Sequence, residues 1–379
     1  MNRSRRWLTL AFGHFDPVLC AIVATLVAMG LVVQFSATYE TPGRFYDQLR
    51  NIGIGLGVLW VASRVPPQTL MRAAVPAYAL GVLLLVAVFL FGLTRKGATR
   101  WLDIGPTTIQ PSEIMKIAMP LMIAWYFHKH ESMLRVRDFF AAAVLLAVPV
   151  LLIAKQPDLG TALLVFAAGM FVIFFAGLSW RLIIPVVVAG TAAFGTLIYH
   201  EEAACAPEVA WPGIKEYQRQ RVCTLLDPST DPLGKGFHTI QSTIAVGSGG
   251  ITGKGWLRGT QTHLEFIPER HTDFIFAVYA EEFGLIGNAM LLLAYLALLG
   301  RGLMIAANAP TVFTRLLAAA ISMILFTYAF VNIGMVSGIL PVVGVPLPFV
   351  SYGGTALVTL FLGIGILMSI QKHRKLVQT

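Results

Sequence analysis

Apolar residues run through this chain in long blocks broken by short polar turns, and the length of the blocks predicts helices rather than strands. A run of roughly 20 mostly apolar residues is enough to cross the hydrocarbon core of a bilayer as a helix. On that basis spans are predicted near 17–37, 51–66, 74–93, 113–128, 139–154, 160–178, 181–199, 274–300, 313–337 and 353–371. Pro120, Pro149 and Pro185 interrupt three of them, which a bilayer tolerates where neighbouring helices or a cavity satisfy the freed backbone groups. The expected fold class is an all-α polytopic membrane protein with about ten transmembrane helices. Residues 1–379 are expected to form one membrane domain, with a single large loop at 200–273 between the seventh and eighth spans.

Composition agrees with the pattern. The 379 residues are 56% hydrophobic and 12% charged, against about a quarter charged in a soluble domain. The net charge of +9 does not point to nucleic acid, because the basic residues stand singly or in short groups at the ends of apolar runs. That placement orients a membrane protein. With the N-terminus inside, Arg3, Arg5, Arg6, Arg64, Arg72, Lys129, Arg135, Arg137, Arg181, Arg301, Arg315, Lys372, Arg374 and Lys375 all fall on the inner side. As many fall outside, but half of those lie in the long loop, which translocates regardless of charge. Both termini are therefore expected inside and the long loop outside. The opening segment MNRSRRWLTLAFGHFDP has no long apolar core and no small-residue cleavage site, so no removable signal peptide is expected.

Candidate chemistry gathers in four places, all on the expected outer side. In QPSEIMKIAMP (110–120), Glu113 and Lys116 are three apart and share a helix face, where they can pair; the plainer reading is a carboxylate favoured at a helix start and a lysine reaching outward. In AKQPDLGTA (154–162), Asp158 is placed either to cap a helix or, with Lys155, to line a pocket. The long loop carries glycines at 247, 249, 250, 253 and 255, which let backbone approach itself or a ligand closely. Its stretch from Gln241 to Val246 reads as a short amphipathic helix lying on the membrane surface. Arg221, Lys235, Lys254 and Arg258 suit pyrophosphate or carboxylate, or form a solvated basic face. In LEFIPERHTDFIFAVYAEEFG (264–284), Asp273 stands where the loop re-enters the membrane, beside Glu269, Arg270 and His271. A partly desolvated carboxylate there suits proton acceptance from a hydroxyl, with helix capping as the alternative. Glu281 and Glu282 need partners if the span starts at 274. No Walker-type run supports nucleotide binding.

QPSEIMK, KQPDLGTA, QSTIAVGSGGITGKG, PERHTDFIFAVYAEEFG and LPVVGVPLPFVSYGGT together resemble the SEDS family of cell-wall glycan polymerases, over nearly the whole chain. The GKGW and PERHTDF wording is similar to the family's elongation members rather than its division members. The resemblance implies a ten-helix fold with an outer cavity in the cytoplasmic (inner) membrane, and polymerisation of lipid II on the periplasmic face. The family's essential loop aspartate falls on Asp273, its cavity Glu and Lys on Glu113 and Lys116, and its PDLG aspartate on Asp158. It also implies a class B penicillin-binding protein as partner, with lipid II and the lipid-linked glycan as substrates. Asp273 is thus the candidate general base. Glu113, Lys116, Lys155, Asp158, Arg221, Gln241, Glu269 and Arg270 are the candidate substrate-binding set. No cofactor is certain; cationic side chains or a divalent cation such as Mg2+ would stabilise the departing pyrophosphate. Two rival readings are a lipid-linked precursor flippase and a non-catalytic scaffold.

Cys205 and Cys223, 18 positions apart in the outer loop, lie outside the family pattern. An oxidising compartment would allow a disulfide between them, and two free thiols are the alternative.

Overall fold

The computed structural model describes residues 15–374 except 96–97, 104, 106–107, 133, 207–208, 210, 212–215, 229–234, 265–266 and 268. Arg3, Arg5, Arg6 and Lys375, named above, lie outside the described residues, as does the side chain of Lys235. The helices in chain order are α1 (Pro17–Ala37), α2 (Pro42–Ala62), α3 (Pro67–Phe91), α4 (Pro111–Lys129), α5 (Val136–Lys155), α6 (Leu159–Phe175) and α7 (Trp180–Tyr199). Four helices of the long loop follow: α8 (Glu201–Ala204), α9 (Glu216–Leu226), α10 (Lys235–Ser248) and α11 (Thr260–His263). The chain closes with α12 (Ile275–Ala307), α13 (Val312–Val336) and α14 (Thr355–His373). Between α3 and α4 lies an antiparallel sheet of β1 (Leu93–Arg95), β2 (Ala98–Asp103) and β3 (Thr108–Ile109), in that order.

Helix starts are set by residues that have no use for an intrahelical N–H partner. α1, α2, α3 and α4 each open on a proline, whose ring fixes a helical φ and whose missing N–H would be orphaned there anyway. Asp16, Asp158, Ser179 and Thr311 cap α1, α6, α7 and α13 through side-chain oxygens. Among the described residues, seven helices are long and apolar enough to cross a membrane: α1, α3, α5, α7, α12, α13 and α14. α6 is as apolar but has only 17 residues. α2 and α3 begin well before the apolar runs at 51 and 74, because their first turns are polar and hydropathy does not register them.

α13 is the axis of the bundle: α12, α6 and α4 pack along it, with α14 and α10 in smaller contact. Successive helices run back and forth between two faces. On one, Arg301 near the end of α12 pairs with Asp16 at the start of α1, and Pro67, His128, Pro310, Thr311 and His373 line a shared cavity. The other carries the sheet, the long loop and the 337–354 segment. α7 stands apart; it buries no residue, and it meets α8 at one end and, through Trp180 on Phe174, the end of α6 at the other.

α10 corrects the surface-helix expectation for Gln241–Val246. It packs against α12 and α13, with Thr239, Ser242 and Ala245 buried. Its small-residue face seats on other helices, not on lipid.

α12 breaks at Gly284, where φ is 63° and ψ −159°. The break removes the helical partners of the Glu281 and Glu282 carbonyls and of the Leu285 and Ile286 amides. The glycine-rich turn after α10 replaces all four: Lys254 N and Gly255 N donate to Glu281 O and Glu282 O at 3.0 Å each, and Leu285 N and Ile286 N donate to Gly250 O and Ile251 O at 2.9 and 3.1 Å. In lipid, such freed groups must be satisfied internally. A Cβ on Gly249 or Gly253 would run into the Ala280 or Glu282 carbonyl, so the glycines serve an approach of the chain to itself.

Candidate functional site

Residues 340–345, in the irregular segment between α13 and α14, collect contacts from three of the four constellations read in the sequence, the PDLG turn, the long loop and the Asp273 loop. From α13, Asn332 Nδ2 donates to Val345 O at 2.7 Å and to Asp273 O at 2.8 Å. From α6, Gly160 comes so close that a Cβ there would stand 2.6 Å from Val343 O. From α9, Arg221 Nη1 donates to Val342 O at 2.7 Å. Gly344 has φ +73°, and a Cβ on it would lie 3.3 Å from Asp273 Oδ2; a glycine meets both demands.

Asp273 sits on a backbone held at three successive carbonyls. His271 O accepts from Gln34 Nε2 at 2.8 Å and from Tyr352 N at 2.9 Å. Thr272 O accepts from Ser351 Oγ at 2.7 Å, and Asp273 O from Asn332. Its neighbours differ in kind. Arg270 binds Ala37 O, Thr262 O and Glu40 Oε2 at 3.1, 2.6 and 2.6 Å, so its guanidinium staples the loop to the end of α1. Glu269 is exposed and accepts from Thr272 Oγ1 at 3.3 Å. The His238 ring on α10 stacks on Phe274 at 5.7 Å. Burial pushes the His238 imidazole below its ordinary pKa, against the opposing pull of Glu269.

Glu113 and Lys116 are buried on α4 and joined at 2.5 Å. Lys116 Nζ also stands 5.0 Å from the centre of the Tyr328 ring. Tyr328 precedes Asn332 by one turn of α13, about 6 Å along the axis. A single helix face therefore links the α4 ion pair to the residue that holds Asp273.

Asp158 both caps α6 and joins a cluster. Its Oδ1 accepts from Thr161 N at 3.2 Å, and its Oδ2 from Gln110 Nε2 at 3.0 Å. Arg100 of β2 lies 3.7 Å from Asp158 and donates to Pro157 O. The QPSE and KQPD motifs thus touch directly. Lys155 is exposed at the end of α5, and Gln241 is half-buried on α10 beside the fully buried Ser242. Lys254 is drawn away from the basic set, because it pairs with the buried Glu281 at 2.7 Å. Glu281 also accepts from Thr260 Oγ1 and Gln261 N, both at 3.0 Å, and Glu282 accepts from Ser36. Cys205 and Cys223 are bridged, with Cα atoms 5.7 Å apart.

Sequence reasoning passed over Gln34, Gln48, Asn332 and Tyr328. Gln48 donates to Ser351 O at 3.1 Å and accepts from Gly353 N at 3.2 Å. The available signal was the rarity of buried amides inside apolar runs, since each must find partners. Among the described residues no three metal-ligating side chains converge.

Known proteins resemble this chain along almost its entire length. The family model for the FtsW, RodA and SpoVE proteins, described as cell cycle protein, matches residues 16–376. The peptidoglycan glycosyltransferase MrdB of Escherichia coli K12 is 50% identical over 363 residues, 96% of this chain and 95% of that protein. The stage V sporulation protein E of Bacillus subtilis is 32% identical over 95% of this chain and 98% of its own length. Among solved structures, a chain of a peptidoglycan synthase complex matches with a TM-score of 0.77 at 35% identity, over 96% of this chain and 99% of that one. The rod shape determining protein RodA of Thermus thermophilus matches at 0.70 and 29%, over 95% of this chain and 97% of its own. The chain is a membrane protein of the FtsW/RodA/SpoVE cell cycle family.

Proposed function

We propose that this chain is a peptidoglycan glycosyltransferase that polymerises lipid II during cell elongation, working with a class B penicillin-binding protein. The reading is supported by 50% identity to a peptidoglycan glycosyltransferase and by likeness to a chain of a peptidoglycan synthase complex. The observation that carries it to particular atoms is the gathering of α6, α9, α13 and the Asp273 loop around residues 340–345, with the α4 ion pair against Tyr328 on the same face of α13.

In the proposed reaction Asp273 takes the proton from the acceptor sugar's 4-hydroxyl. The hydroxyl oxygen then bonds to the anomeric carbon of the donor, and the bond from that carbon to the pyrophosphate oxygen breaks. Undecaprenyl pyrophosphate leaves with the electron pair. Preorganised charge aimed at the departing group lowers the barrier most when water is excluded. Lys116, held by Glu113, and the Asp158–Arg100–Gln110 cluster are our candidates for that part. The three pinned carbonyls around Asp273 keep its carboxylate from drifting, which matters because small misplacements cost large factors in rate. The site faces the periplasm in this reading; ten helices cross the membrane, and both termini are cytoplasmic.

The test is lipid II polymerisation by the purified protein with its cognate partner, whose transpeptidase is inactivated so that only glycan length is read. Wild type is expected to make strands, and Asp273→Asn to make none above background. Equal strands from both would remove Asp273 as the base. None from either would return the flippase reading, and normal cell-wall growth with Asp273→Ala would favour a scaffold.

A further inference from the structure

The disulfide in the long loop sits on the helix that reaches the proposed site. Cys223 belongs to α9, and Arg221 precedes it by two positions, about 200° around the helix. The bridge to Cys205 therefore holds one side of α9 while Arg221 extends from the other to Val342 O at 2.7 Å. The partner strand of the bridge is itself fastened. Arg219 Nη1 donates to Ala206 O at 2.8 Å, and Trp211 Nε1 donates to Ala204 O at 3.0 Å. Arg219 is buried and fork-paired to Glu216 at 3.0 and 2.8 Å. The other end of the chain of contacts is Gly344, two residues after Val342, which faces Asp273 Oδ2.

The segment 340–345 is thus held from two sides. Asn332 grips Val345 O from within the bundle, and Arg221 grips Val342 O from the loop. Asn332 is built into a buried helix. Arg221 stands on a short helix that packs on α10 and is tied to the 204–206 segment by Arg219 and by the bridge, so the bridge adds a covalent limit to how far α9 can turn away from the site.

We propose that Arg221 is a positioning residue for the polymerisation reaction and that the Cys205–Cys223 bridge is the clamp that aims it. With the bridge closed, Arg221 keeps Val342 and Gly344 against Asp273. Reduction by a dithiol breaks the S–S bond, gives two thiols and oxidises the dithiol to its own disulfide. α9 then loses its covalent tie and is left with Arg219 on Ala206 O and its packing on α10, the charged donor to Val342 O is less firmly aimed, and the wall facing Asp273 loosens. This proposal deepens the reading given under Proposed function and rests on it.

The test compares oxidised wild type, Cys205→Ser/Cys223→Ser, Arg221→Gln and the triple variant, each with the cognate partner and lipid II. The Cys pair and Arg221→Gln are each expected to lower kcat about fivefold, on the order of the coupling between residues in one network, with KM little changed. The triple variant is expected to be no slower than either, because bridge and arginine act in series, and Arg221→Lys is expected to recover part of the loss. Dithiothreitol is expected to slow wild type and to leave the Cys-pair variant unaffected. Amide exchange at residues 343–345 provides a second readout that does not need activity; it is expected to quicken when the bridge opens, while exchange in α13 holds. Full kcat in the Cys pair, losses that multiply in the triple variant, or unchanged exchange at 343–345 would each overturn the proposal. An inactive oxidised wild type would instead fail the glycosyltransferase reading itself.

Discussion

Lys116 is 2% exposed and pairs with Glu113, itself 8% exposed. A charge so placed is expensive alone and tolerable in company. Removing one member of a buried pair costs about 3–5 kcal/mol, whereas replacing both by apolar residues of similar volume is often neutral. Lys116→Ala is therefore expected to lower the thermal midpoint sharply, and its loss of polymerisation would say little about chemistry. The pair variant Glu113→Leu/Lys116→Met separates the two roles. It is expected to regain most of the stability while polymerisation stays lost, measured by melting in detergent beside the glycan assay. Normal polymerisation by that variant would reduce the pair to a structural device. Asp158 shows why weighing a cap against a pocket posed a false choice: one of its oxygens caps α6 while the other accepts from Gln110.

At the scale of elements, α10 carries a half-buried imidazole that makes its docking sensitive to acid. His238 is held below its free pKa by burial, so the unfolded chain takes up a proton first as pH falls. The docking of α10 is thus intact above about pH 6.5 and weakens as pH drops toward the lowered value. The thermal midpoint of wild type is expected to fall more steeply through that range than that of His238→Phe, which keeps a ring against Phe274 and cannot titrate. Equal slopes would remove His238 from the account. Elements also show what pattern reading can reach. Apolar length was enough to find the spanning helices, and charged motifs were enough to find α4, the start of α6 and the Asp273 loop. The helix of the Gln241 stretch was legible, but its destination was not, because small residues such as Ser242 and Ala245 look alike whether they meet lipid or protein. Asn332 lay unread for a related reason. A lone amide in an apolar run signals a need for partners, yet Asp273 and Val345 are 59 and 13 positions away, and nothing local names them.

The whole molecule has two unlike faces. Asp273, the sheet and the long loop share one; the Asp16–Arg301 pair and the basic end of α14 share the other. If the latter is cytoplasmic, as proposed, Lys155→Cys and Arg137→Cys, both at exposed positions, are expected to react oppositely. In a cysteine-free background, a membrane-impermeant maleimide added to intact spheroplasts should label the first and not the second; the reverse would invert the topology. The contact map of the molecule also closes on itself. Gln34 of α1 and Gln48 of α2 bind the carbonyls of Val350 and Ser351, and a Cβ on Gly30 would stand 2.5 Å from Phe349 O. α1 and α2 therefore complete their bonding only with the segment between α13 and α14, 316 and 303 positions further along the chain. A nascent chain lacking that stretch has neither the wall opposite Asp273 nor the bonds to Tyr352 N and Ser351 that hold the aspartate's loop. Under the proposed function a chain still short of that segment is expected to be inert, and it acquires a working site only once α1 and α2 close on it.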